Sequence, residues 1–171
     1  MNEHHDDIDE FFRSRLTDDD LEPERIEQLA AELAERAELW RSEVRHSDDE
    51  RIYVQLFRDH HLDAWLICWT GQQDTGLHDH DLSCGAVHVV DGALDEDRLG
   101  FGTGIDTTRY EAGQSFRFDS SRIHDVRNAP GNQTVSLHLY SPPIWRMGYY
   151  EVDENGRVAR RSYSYAEELR S

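Results

Sequence analysis

His78-Asp79-His80 is the stretch on which the reading of this chain turns. Side chains on an extended strand alternate from face to face, so imidazoles at i and i+2 point the same way. The run ahead of it, Gly71-Gln72-Gln73-Asp74-Thr75-Gly76, reads as a loop. A second run downstream, Arg122-Ile123-His124-Asp125-Val126-Arg127-Asn128, offers a third imidazole from a distant strand. Two histidines from one strand and one from another make the nitrogen set of a transition-metal site. Alone, a His-x-His pair fits a solvated strand face equally well, so the rest of the chain has to decide.

A chain of 171 residues is expected to form one domain, here 1–171. Its formal charge of −18 argues against nucleic acid or an anionic membrane as partner, since both require a basic surface. Cys68 and Cys84 are too few for a disulfide framework and read as two reduced thiols. The first residues, Met1-Asn2-Glu3-His4-His5-Asp6-Asp7, have neither a basic region nor an apolar core. No apolar run approaches the roughly 20 residues a membrane helix needs. A cytoplasmic monomer is the expectation.

Residues 1–47 read as an acidic helical cap. Ile8, Phe11, Phe12 and Leu16 fall near a helical spacing, and Thr17 to Pro23 looks like a second helix start. From Ile26 the apolar positions run through Leu29, Ala30, Leu33 and Ala37 to Trp40, which predicts one amphipathic helix seeking a surface. Residues 50–165 change to strand composition. Strands are predicted at 51–58, 64–69, 86–90, 107–110, 115–118 and 134–140. Turns are signalled at Asp59 to Asp63 and Asp91-Gly92, and a last hairpin at Asp153-Glu154-Asn155-Gly156. Many short strands without alternating helices give an all-β jelly-roll or barrel carrying an N-terminal α-helical cap.

Both histidine runs resemble the two metal-binding motifs of the cupin superfamily. Gly71, His78, His80 and Gly92 fall on the first, with Gly85 where a glutamate ligand often stands. Gly113, His124 and Asn128 fall on the second, where Asp119 and Ser121 replace a proline and a glycine. The resemblance implies a double-stranded β-helix barrel. Three neutral imidazoles without a carboxylate leave a divalent metal its full charge, which suits an anionic soft ligand such as a thiolate.

Cys68-Trp69-Thr70-Gly71 and Ser136-Leu137-His138-Leu139-Tyr140-Ser141-Pro142-Pro143 are similar to the corresponding runs of the cysteine dioxygenase family of thiol dioxygenases. The resemblance implies a non-haem iron(II), or Fe(II), enzyme that adds both atoms of O2 to a substrate sulfur. It makes His78, His80 and His124 the metal ligands and Ser136, His138 and Tyr140 a relay that orients the tyrosine hydroxyl. Their alternation puts all three on one strand face. Arg58 matches the family's carboxylate-binding arginine, whose fork suits a substrate carboxylate that also approaches Tyr140. Gly85 stands where animal members carry a cysteine crosslinked to this tyrosine, so the uncrosslinked bacterial form is expected. Cys84 lies one residue away and should face the other side.

The implied reaction is oxidation of L-cysteine to cysteine sulfinate, with 3-mercaptopropionate or another small thiol as the alternative. Arginine rather than glutamine at position 58 tilts the choice toward cysteine. A non-catalytic metal- or ligand-binding cupin and a metal-dependent isomerase stay open as other classes. His88 is expected to pack or face solvent. Trp145, Met147 and Tyr149 suit a pocket mouth and core packing equally.

Overall fold

Hydrophobic alternation becomes two facing antiparallel sheets in a computed structural model that describes residues 3–99, 104–152 and 158–164. One sheet has the order β1 (Ile52–Arg58), β2 (Asp63–Trp69), β9 (Thr134–Ser141), β4 (Cys84–Asp91) and β7 (Ser115–Phe118). The other runs β11 (Val158–Ser164), β10 (Arg146–Val152), β3 (His78–Asp79), β8 (His124–Asn128), β5 (Ala93–Leu99) and β6 (Ile105–Glu111). This is the double-stranded β-helix expected from the sequence. Two helices, α1 (Glu3–Arg13) and α2 (Pro23–Ala34), cover the outer face of the first sheet.

β9 shows how the two layers are separated. All eight of its residues are buried, yet they divide by parity. Leu137 and Leu139 turn outward to meet Phe12, Ile26, Leu29 and Leu33 from the helices. Ser136, His138 and Tyr140 turn inward, where Tyr140 joins Trp69, Val87, Phe118 and Val126 between the sheets. Phe12 stacks on Phe57 with ring centroids 4.7 Å apart, fixing the cap to β1. The buried apolar stripe supplies the main driving force, since α2 has proline in its first turn but no side-chain cap bond.

The helix expected to run on to Trp40 stops at Ala34. Short 3-10 turns follow at Ala37–Leu39 and Arg41–Glu43. The carbonyl of Leu33 accepts the backbone N–H of Arg36 and the indole N–H of Trp40, each at 3.0 Å. Those bonds wrap the chain back over the helix end and still bury Trp40. β5 departs from expectation, because Ala-Leu-Asp-Glu-Asp-Arg-Leu has the composition of a loop. Its charges have partners on neighbouring strands. Arg109 grips Asp95 at 2.8 and 3.0 Å, and Arg127 grips Asp97 at 3.2 and 3.1 Å.

The Asp91-Gly92 turn forms as expected, with Gly92 at φ +76. The last turn, Asp153 to Gly156, lies outside the described residues. The strands on either side pair from Arg146↔Ser164 to Val152↔Val158. No helix among the described residues is long and apolar enough to cross a membrane.

Candidate metal centre

β3 is only two residues long, and its neighbours hold it in place. His78 pairs with His124 on β8 and with Tyr149 on β10, and Asp79 pairs with Gly148. Asp79 turns away from its flanking histidines into a polar clamp. Arg160 reaches it at 2.6 and 2.8 Å and the Tyr150 hydroxyl at 2.6 Å. Burial alone would raise the Asp79 carboxyl, but these bonds hold it well below the usual carboxylate range. The three imidazoles then converge. His78, His80 and His124 are all buried, and one nitrogen from each lies within 4.8 Å of the others.

The protonation pattern of the trio fits a cation. Nδ1 of His78 donates to the Gly76 carbonyl at 2.8 Å, so its Nε2 presents a lone pair toward Nε2 of His80, 3.1 Å away. Nδ1 of His124 donates to Glu96 at 2.8 Å, which leaves the Nε2 lone pair of that ring available too. Nδ1 of His80 is buried with no hydrogen-bond partner among the described residues. Two nitrogens on one metal, each at about 2.1 Å, stand about 3 Å apart. Burial, reinforced by neighbouring histidines, lowers His78 to about 3 and His80 well below its ordinary value. Neutral rings at physiological pH are ready ligands.

Ser136, His138 and Tyr140 form a continuous hydrogen-bonded chain. Ser136 Oγ lies 2.8 Å from His138 Nε2, and His138 Nδ1 lies 3.2 Å from the Tyr140 hydroxyl. Trp69, which can only donate, gives its indole N–H to Ser136 Oγ at 2.8 Å. With Trp69 on one lone pair, the Ser136 hydroxyl can give its proton to Nε2 of His138, and in that tautomer Nδ1–H of the ring donates to the Tyr140 oxygen. The Tyr140 proton is then directed onward, and Tyr140 lines the cavity beside the histidines. Burial, then the charge of Arg51, lowers His138 to about 3, so this ring carries one proton.

Gly85 sits directly across from Tyr140 in the β4–β9 register. A Cβ there would lie 2.7 Å from the Phe118 ring, 2.8 Å from the Leu139 carbonyl and 2.9 Å from the Tyr140 ring. The absent side chain is what lets Phe118 and Tyr140 close on His80, at 4.6 and 5.2 Å between ring centroids. Cys84 turns the other way, toward the carbonyls of Leu21 and Ser141.

Arg58 is placed differently from what the resemblance implies. It follows a bulge between Gln55 and Phe57 and pairs across the hairpin with Asp63. Its guanidinium forms an ion pair with Asp63, donates to the Ile144 carbonyl at 2.9 Å and lies 4.8 Å over the Trp145 ring. Asp63 is fully buried, and burial raises its carboxyl against the pull of Arg58 and Gln55. Arg58 thus already holds a carboxylate of this chain. Asp63, not Arg58, lines the cavity of about 940 Å³ that opens onto His78, His124, His138 and Tyr140. Met147 and Tyr149 line it too, whereas Trp145 is largely exposed. His88 is packed against Ser115.

Four contributors escaped the sequence reading. Glu96 and Arg160 have no motif, because strand register alone brings them to His124 and Asp79. Trp69 stands in a quoted run, but its donor role needs the β2–β9 pairing. Arg51, just ahead of β1, lines the cavity and lowers His78 and His138 with its charge.

A family description, cysteine dioxygenase type I, matches residues 4–152, which takes in the cap, both histidine runs and the relay strand. The chain belongs to this family. The family is one of cupin-type thiol dioxygenases, which are metalloenzymes, and its match includes α1 and α2 as well as the barrel. Solved structures agree on the fold. The TT1209 protein of Thermus thermophilus shares 16% identity over 60% of this chain and 92% of its own, with a TM-score of 0.53. An uncharacterized protein of Klebsiella pneumoniae with a double-stranded β-helix domain shares 17% over 70% and 91%, at 0.52. KdgF from Halomonas sp. shares 18% over 60% and 91%, at 0.50.

Proposed function

We propose that this protein is an iron(II)-dependent dioxygenase of a small thiol bearing a carboxylate, converting the thiol and O2 to a sulfinate. The observation that carries the proposal is an all-imidazole trio with the oriented Tyr140 hydroxyl beside it. Iron(II), held by His78, His80 and His124, would supply the redox chemistry that lets O2 add to a thiolate sulfur. The protein's part is orientation. Glu96 and the Gly76 carbonyl aim two of the imidazoles, and Trp69, Ser136 and His138 aim the Tyr140 proton into the cavity. Phe118, Val87 and Val126 keep the wall apolar, which strengthens each charge-assisted contact there. All four electrons come from sulfur, so no external reductant enters the balance.

L-Cysteine and 3-mercaptopropionate are the two substrates this reading favours. The tilt toward cysteine depends on Arg58, and the Asp63 ion pair removes that support. A passive metal-binding cupin has no use for the directed relay. The protein would be a cytoplasmic monomer acting on a diffusible metabolite.

Oxygen uptake by iron-loaded protein, run with cysteine, 3-mercaptopropionate, cysteamine and homocysteine, tests the proposal. Thiol-dependent uptake with one O2 per sulfinate formed is expected. Metal binding without uptake would favour the passive binder, and turnover without oxygen would favour an isomerase.

A further inference from the structure

We propose that Arg51 is the residue that recognises the substrate carboxylate and so selects thiols carrying a single negative charge. The inference rests on the thiol-dioxygenase reading and deepens it. The chain has no lysine, so arginines are the permanently cationic side chains available to an anionic group in the cavity. Arg58 is occupied by Asp63, and Arg45 is an exposed residue of the rim. Arg51 is half-buried and lines the cavity wall.

Two aromatic residues, Trp69 by its ring and Tyr53 by its hydroxyl, hold the Arg51 head group. Its Cζ lies 4.7 Å from the Trp69 ring centroid and 4.8 Å from that of Tyr53. Trp69 offers the guanidinium a cation–π contact and Tyr53 meets its edge through the hydroxyl, so the head group is held on two sides. Of the five N–H groups, Nε and one on Nη2 go to the Tyr53 hydroxyl, and one on Nη1 goes to the Asp74 carbonyl. One N–H remains on each Nη, a pair that can grip both oxygens of a carboxylate. Among the described residues Arg51 makes no ion pair, and its three bonds go to neutral oxygens.

Its position relative to the chemistry is set by Trp69. The indole under Arg51 is the one that donates to Ser136, so the guanidinium lies beside the relay rather than at a remote edge. The surrounding rim limits the charge of what enters. Asp48, Asp49, Glu50 and Asp74 line the same cavity and disfavour a dianion, while Arg51 is the half-buried cation there and Arg45 is exposed. A short mercapto-acid meets both conditions.

The test compares two thiols of equal chain length, 3-mercaptopropionate and 3-mercaptopropan-1-ol, in iron-loaded wild type, Arg51→Gln, Arg51→Lys and Arg58→Gln. In Arg51→Gln the ratio of kcat/KM, acid over alcohol, should fall about 10- to 100-fold, the value of hydrogen bonds to a charged group. Arg51→Lys should recover part of that ratio, since it restores charge without the fork. Arg58→Gln should lower both thiols in proportion and leave the ratio in place. In parallel, anaerobic binding of 3-mercaptopropionate is followed by tryptophan emission, and Arg51→Gln should weaken it by a similar factor. An unmoved ratio with unweakened binding overturns the assignment, as does an equal loss on acid and alcohol. If wild type turns over neither thiol, the dioxygenase reading fails, and the binding titration still judges Arg51.

Discussion

Glu96 accepts the Nδ1–H of His124 at 2.8 Å, with both side chains 1% exposed. Arg122 at 3.5 Å and Arg98 at 3.8 Å balance its charge. A carboxylate is therefore present beside the histidine trio, one step behind the imidazole it orients. Removing such a partner typically weakens metal binding about 10- to 100-fold. Glu96→Ala should show that loss in a cobalt(II) or iron(II) titration, and Glu96→Gln, which keeps an acceptor, a smaller one. Unchanged affinity in Glu96→Ala would mean that strand packing alone aims His124.

Trp69→Phe keeps the ring under Arg51 and deletes the N–H that sets the direction of the relay. Ser136 then loses the donor that occupies one of its lone pairs and biases its proton toward His138. A fall in kcat of about 5- to 10-fold, the value of one hydrogen bond, is expected with KM nearly constant. The variant is read by steady-state oxygen uptake. A change confined to KM would place Trp69 in binding rather than in orienting Tyr140.

Two buried histidines give the metal-free protein a definite pH dependence. His78 and His138 titrate near 3 when folded and near their ordinary 6.5 when unfolded. Between those values the unfolded chain binds more protons, so stability is intact above about pH 6.5 and is lost as pH falls toward 3. Each ring contributes about 1.4 kcal/mol per pH unit in that window. From pH 7 to 5.5 these two should remove about 2 to 3 kcal/mol. His80, lowered likewise by burial, acts in the same sense, so Tm should fall by at least about 5 to 10 °C by calorimetry. Asp63 and Asp125, raised by burial, act in the opposite sense, but only near the carboxylate range. A constant Tm over this interval would show that the rings are solvated.

Periodicity made half of the site legible. The parity of His78 with His80, and of Ser136 with His138 and Tyr140, is a local property of a strand, and the fold keeps both. What a neighbouring strand contributes is set by register, which no single run displays. Asp63 faces Arg58 only because the hairpin pairs them, and Glu96 reaches His124 only because β5 lies beside β8. The same reason hides β5 itself, whose acidic run is a strand because arginines stand opposite. The amphipathic character of the cap is plain in the sequence, but its length is not, since Trp40 keeps the apolar spacing while its indole closes the helix end.

The most direct measurement is the mass of the product formed from a carboxylate thiol under ¹⁸O₂ by the iron-loaded protein. A sulfinate carrying two labelled oxygens is expected, with formation abolished in His124→Ala. A product with one labelled oxygen or none, or an unlabelled disulfide, would contradict dioxygenation at the three-histidine centre.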